Sequence, residues 1–223
     1  MILFIIAILF LTSYFCVKKS FAYPFKLLEE HRIHCQEYLK SEPKTFSQIK
    51  SRKTIVVYSI ILTVINLSYL NIYQSLGTAL FYCIFATLCF SLLLTDLKHN
   101  LLPECITVIL ILSGLVFSLT DFYPTSLHDA ISGGVIGVCF ALVVSAPFIL
   151  VKKIMPLAIG DLYFIAGVGI WIGQSKLFQF GLMSVAIAIL TGLILKNKAI
   201  PLGIALGIAG IISTLIPNII NIN

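Results

Sequence analysis

An all-α, polytopic membrane bundle of about eight helices is the fold class this sequence predicts, and three observations predict it. Hydrophobic residues fill 59% of the 223 positions, 11% are charged, and mean hydropathy is +1.06, whereas soluble domains carry about a quarter charged residues. The apolar residues are gathered in runs long enough to cross a hydrocarbon core of roughly 30 Å. The basic residues fall almost wholly between alternate runs, as they do in chains that span a bilayer.

The runs cover approximately 2–17, 55–72, 76–95, 105–119, 130–151, 157–172, 177–195 and 200–216. Several are near the lower length limit, so seven helices plus a re-entrant segment around the Gly-rich piece holding Asp161 is the alternative count. Run 2–17 has no basic stretch before it and Lys18 and Lys19 after it, the pattern of a retained N-terminal anchor over 1–17 rather than of a cleaved signal. Residues 18–53 are the one sizeable soluble piece, a basic cytoplasmic segment with a helical candidate, KLLEEHRIHCQEYLK. In it Leu27, Leu28, His31, His34, Cys35, Tyr38 and Leu39 recur at spacings of three and four, a strip able to lie on headgroups or under the bundle, or simply to connect. Residues 54–223 make the membrane-embedded core. Pro103, Pro156 and Pro201 each open a helix. The spacing of Gly133, Gly134 and Gly137, and of Gly203, Gly207 and Gly210, predicts two helices that approach their neighbours closely.

Orientation follows from the Lys and Arg residues, which cytoplasmic loops retain. Segment 18–53 carries nine of them, and alternate loops add Lys98, then Lys152 and Lys153, then Lys196 and Lys198, so that fourteen of fifteen fall on one side. The other loops hold Lys176 with Asp121 and Asp129. Both termini are therefore expected outside. The net charge of +6 is a topology signal, and no nucleic-acid partner is implied. The six cysteines do not form a disulfide framework: five lie in or beside apolar runs, where they act as small apolar fillers, and Cys35 lies in the reducing cytoplasmic segment. His31, His34 and Cys35 share a helical face, but a closed zinc site takes four ligands, so these three are read as solvated side chains and no metal is expected there.

Two carboxylates carry the chemistry. Asp161 lies in PLAIGDLYFIAGVGIWIGQ, which has no other charge, and Asp96 ends another long apolar run. An aspartate in hydrocarbon costs about 2.5–3.5 kcal/mol on insertion scales, so such a residue usually binds, transfers protons or catalyses. A structural account also exists, with Asp96 as a solvated helix end and Asp161 paired with a Lys or a backbone group. The topology sets the C-terminal end of the third helix and the N-terminal part of the sixth at the same, cytoplasmic, level, so the two acids can meet. Two carboxylates in hydrogen-bonding range cannot both ionise cheaply; one keeps a proton, and together they can activate a water and protonate a leaving amine. Gly160, immediately before Asp161, would let backbone or substrate approach the acid.

These residues resemble the type IV prepilin peptidases, a family of Gly-x-Gly-Asp intramembrane aspartyl proteases. LLLTDLKHNLLPECITV is similar to that family's first-aspartate signature, with Asp96, Leu97, Leu102, Pro103 and Glu104 at its positions. PLAIGDLYFIAGVGIWIG resembles the second signature, with Asp161 in the catalytic position, and IPLGIALGIAG resembles the closing Ile-Pro-x-Gly helix. The resemblance spans about residues 55–216. It implies removal of the short leader from prepilin or pseudopilin precursors at the cytoplasmic face of the bacterial inner membrane, with Asp96 and Asp161 catalytic, Gly160, Pro103 and Glu104 in support, and no metal or organic cofactor needed.

Three departures stand out. Ala158 occupies the first Gly position of the pattern, Tyr163 and Phe164 replace a lysine-containing stretch, and the paired CxxC motifs of methylating members are absent, with Cys35 alone in that loop. The chain thus resembles a short, peptidase-only form. A small proton- or cation-coupled transporter built around Asp161 is the rival class. It explains one acid and not the second, places its site at the midplane rather than at one face, and finds no inverted repeat in the sequence.

Overall fold

The computed structural model describes residues 2–35, 52–99, 101–153, 157–195 and 202–216, which form seven helices and, among them, no strand. In chain order these are α1 (Ile2–Cys35), α2 (Arg52–Ile72), α3 (Leu76–His99), α4 (Glu104–Phe117), α5 (Leu127–Lys152), α6 (Ile159–Leu195) and α7 (Leu202–Leu215). Five of them are long and apolar enough to cross a membrane, while α4 and α7 have 14 residues each. The chain is an all-α, multi-pass membrane protein.

Two boundaries differ from the sequence expectation. Helix α1 continues without a break through the change of composition at residue 18, and Val17, Ser20 and Phe21 beside that change are buried. Lysine is a good helix former, so Lys18 and Lys19 mark a change of solvent and not the end of a helix. The first part of the amphipathic candidate thus belongs to α1, although the side chains of His31, His34 and Cys35, and all of residues 36–51, lie outside the described residues.

The second difference concerns the count. Helix α6 has 37 residues, about 55 Å at 1.5 Å per residue, nearly twice a hydrocarbon core. It reverses at Gly173, whose φ of 71° and ψ of 174° are non-helical. The contacts against α5 record the turn. A Cβ on Gly133 would meet Gly169, one on Gly137 would meet both Ile165 and Leu177, and one on Gly181 would meet Phe140. The segment before Gly173 therefore runs antiparallel to α5 and the segment after it runs parallel, so two of the predicted runs are joined with no loop between them.

Gly173 is in a backbone region that is essentially closed to residues with a Cβ, and an added Cβ would also lie 2.8 Å from Thr125 Cγ2. Gly173→Ala should lower stability by about 1–3 kcal/mol, measured as a fall in the midpoint of thermal unfolding in detergent. An unchanged midpoint would show that the reversal does not depend on this conformation.

The bundle is closed at its Gly173 end by aromatic side chains. Trp171 is fully buried, donates from Nε1 to the Leu110 carbonyl at 2.8 Å, and packs on Phe85, Phe117 and Tyr123. The Tyr123 hydroxyl donates to the Trp171 carbonyl. Burial pushes the Tyr123 phenol well above its ordinary range, which keeps it a neutral donor. Tyr69, Tyr73 and Tyr82 stack beside it, with Tyr73 and Tyr82 centroids 4.7 Å apart. The opposite end of the bundle holds the two acids.

Candidate active site

One helix end and three helix starts converge there. Asp96 lies in the last turn of α3, and the following loop leads to Pro103, the buried N-cap of α4, whose carbonyl accepts from the amides of Ile106 and Thr107. Leu102 of this loop packs against Gly160 in the first turn of α6, where an added Cβ would stand 3.1 Å from Leu102 Cβ. That contact brings the start of α6, and with it Asp161, against the segment that follows Asp96.

Asp161 is at the third position of α6, partly buried, and its Oδ2 accepts from the Ala158 amide at 3.0 Å. This is one half of a capping box, so the backbone pairing allowed by the structural account of Asp161 is present. It uses one oxygen and leaves the other free of that bond. Asp96 is 6% exposed, and its Oδ2 is buried without a hydrogen-bond partner among the described residues. It is therefore not a solvated helix end. The Leu102–Gly160 contact sets Asp161 near enough for its charge to be felt at Asp96, beside the larger effect of burial.

The third wall is α7. A Cβ on Gly203 would lie 2.7 Å from Asp96 Oδ2, and the amides of Gly203 and Ile204 face the Asp96 carboxyl group. Neither forms a hydrogen bond of normal geometry to Oδ2. The sequence pattern identified Gly203 as a helix-packing residue only; its place after the Ile200-Pro201 pair at a helix start was the available signal for a role near an acid.

Of the other sequence candidates, Gly160 and Pro103 are at this junction, whereas Glu104 is exposed in the first turn of α4, where a carboxylate suits the positive end of the helix dipole. Tyr163 is 43% exposed and Phe164 fully buried, so the two residues that replace the lysine-containing stretch face opposite environments. Asp129 is at the far end, where it caps α5 with Ser126. Among the described residues no three His, Cys, Asp or Glu side chains converge on a point.

A multi-pass helical bundle that buries one aspartate against the charge of another, under the start of a glycine-bearing helix, defines a membrane protein with an acid pair at one face. Residues 83–196, from α3 through the end of α6, match the model of the type IV leader peptidase family. The chain is 31% identical over 144 residues to the leader peptidase HopD of Escherichia coli, covering 61% of this chain and 92% of that protein. It is 28% identical over 120 residues to the type 4 prepilin-like proteins leader peptide-processing enzyme of Escherichia coli O78:H11 (strain H10407 / ETEC), covering 52% of this chain and 44% of the relative, less than half its length. No solved structure matches the chain. The chain belongs to the type IV leader peptidase family, and it is a peptidase.

Proposed function

We propose that Asp96 and Asp161 are the catalytic pair with which this peptidase removes the leader of prepilin or pseudopilin precursors, at the cytoplasmic face of the bacterial inner membrane. The observation that carries the assignment is the burial of the Asp96 carboxyl group at the junction where the Leu102–Gly160 contact brings in the start of α6 with Asp161. Two carboxyl groups enclosed side by side share one proton between them, which lets one of them activate a water. One carboxylate takes a proton from that water as its oxygen adds to the scissile carbonyl, and the other, protonated, gives its proton to the leaving amine as the C–N bond breaks. The proton count balances with no metal.

The substrate class rests on the relatives, one of which is named for processing leader peptides of type 4 prepilin-like proteins. The cytoplasmic location rests on the distribution of Lys and Arg around the helices. Gly160, Pro103 and Glu104 support the site: Gly160 and Pro103 by setting the junction of the α3–α4 loop with α6, and Glu104 by capping α4 electrostatically.

Co-expression with a tagged prepilin, followed by mass measurement of the pilin N-terminus, tests this reading. The expected product has lost its leader and carries no added methyl mass, since segment 18–53 contains Cys35 as its single cysteine. A methylated product would contradict the peptidase-only form. An uncut precursor from a cognate pilin would contradict the substrate.

A further inference from the structure

We propose that Gly203 is a positioning residue for Asp96, the absence of its side chain fixing where the Asp96 carboxyl group points. The inference rests on the assignment of Asp96 and Asp161 as the catalytic pair. A Cβ at position 203 would stand 2.7 Å from Asp96 Oδ2 and 2.9 Å from both its Cβ and its Cγ. Contacts this short are not tolerated, so either α7 or the carboxyl group must move.

The remainder of α7 decides which. Ten of its fourteen residues are buried. Its far end is tied by side chains from α2, from the residue that follows α2, and from α6: the Tyr69 hydroxyl reaches the Ile211 carbonyl at 3.1 Å and Thr214 Oγ1 at 2.6 Å, Tyr73 donates to the Thr214 carbonyl at 2.6 Å, and Lys176 Nζ donates to the carbonyls of Ser213 and Ile216 at 3.3 and 3.2 Å. Midway, Gly210 lies against Val168 and Phe85. A helix anchored along its length and at its end yields little to one methyl group: a small shift between α3 and α7 must clear the Asp96 Cβ, which rotation about χ1 leaves in place, while that rotation carries Cγ and Oδ2 away from the new methyl group. Alanine is also the better helix former, so the substitution does not weaken α7 itself. The carboxyl group is then displaced, with a small shift of the helix backbone beside it.

Gly207 supplies the comparison. It is one turn further along the same face, and its added Cβ would meet Leu93 Cβ at 3.0 Å and the Cys89 carbonyl at 3.2 Å, a packing clash with no carboxyl group in it.

The experiment compares full-length wild type, Gly203→Ala, Gly207→Ala and Asp96→Asn in proteoliposomes, with a prepilin as substrate. It reads kcat, KM, the pH profile of cleavage and the unfolding midpoint. Gly203→Ala should lose about a hundredfold in kcat, the scale of a 1 Å misplacement of a reacting group, with KM held, the unfolding midpoint lowered no more than in Gly207→Ala, and the midpoint of the pH profile moved. Gly207→Ala should keep the wild-type pH profile. Three results would overturn the inference: wild-type kcat and pH profile in Gly203→Ala; failure of Gly203→Ala to fold, because the helix would then have taken the clash; or parallel losses of activity and stability in the two glycine variants. Cleavage by Asp96→Asn would remove the catalytic pair itself, and the inference with it. An inactive Asp96→Asn beside a fully active Gly203→Ala would remove the inference alone.

Discussion

Asp96→Asn lowers leader cleavage by roughly a thousandfold or more, and Asp161→Asn does the same, while both proteins remain folded in the membrane. The magnitude is that of removing one positioned proton donor or acceptor, about 10²–10⁴. Asparagine keeps the shape of the side chain, which separates chemistry from packing. At position 161 its carbonyl oxygen can still accept from the Ala158 amide, so the first turn of α6 stays capped; alanine there would add a capping loss of about 1 kcal/mol and blur the result. At position 96 the substitution leaves a neutral group in a buried site, which relieves the cost of enclosing a charge. With both acids serving one proton-transfer reaction, as proposed, the double variant should be no worse than either single one. The ratio of processed to unprocessed pilin in cells measures all three. Additive losses in the double variant would mean that the acids work separately.

The largest effect on folding is expected at Gly133. Its backbone meets that of Gly169 directly: an added Cβ would lie 2.3 Å from the Gly169 carbonyl oxygen and 2.8 Å from Gly173 C, and a Cβ on Gly169 would lie 2.5 Å from the Gly133 carbonyl. Backbone cannot swing aside as a side chain does, so Gly133→Leu must push α5 and α6 apart along their shared face. Overpacking costs of this kind run to about 3 kcal/mol, occasionally more, and without a hydrophobic drive between helices in lipid the close packing itself supplies association. The variant should accumulate poorly and unfold at a lower temperature in detergent. At the adjacent Gly134 the first contact is the Ile170 side chain, at 2.7 Å, so Gly134→Ala should cost less. Equal stability of Gly133→Leu and the wild type would contradict the backbone-to-backbone contact.

The sequence made the apolar spans legible because transfer into hydrocarbon is a property of composition, which a single chain displays in full. The close approach of α5 and α7 to their neighbours was legible for a similar reason, since Gly133, Gly203, Gly207 and Gly210 leave few other uses for their spacing. The reversal at Gly173 was not, because it depends on one φ angle among many glycines. Nor was the passage of α1 across residue 18, where charge changes and helix propensity does not. At the site, Asp96 and Asp161 stood out by the cost of enclosing them. The contact of Gly203 with Asp96 joins residues more than a hundred positions apart, and no local pattern encodes it.

The central claim is that this chain hydrolyses a leader bond with an aspartate pair and nothing else. Its most direct test is purified protein in proteoliposomes, free of other proteins and with chelator present, given a prepilin in water enriched in oxygen-18. Wild type is expected to release a leader whose new carboxyl group carries one heavy oxygen, and Asp96→Asn and Asp161→Asn to release none. Release of leader by either Asn variant at the wild-type rate would contradict it.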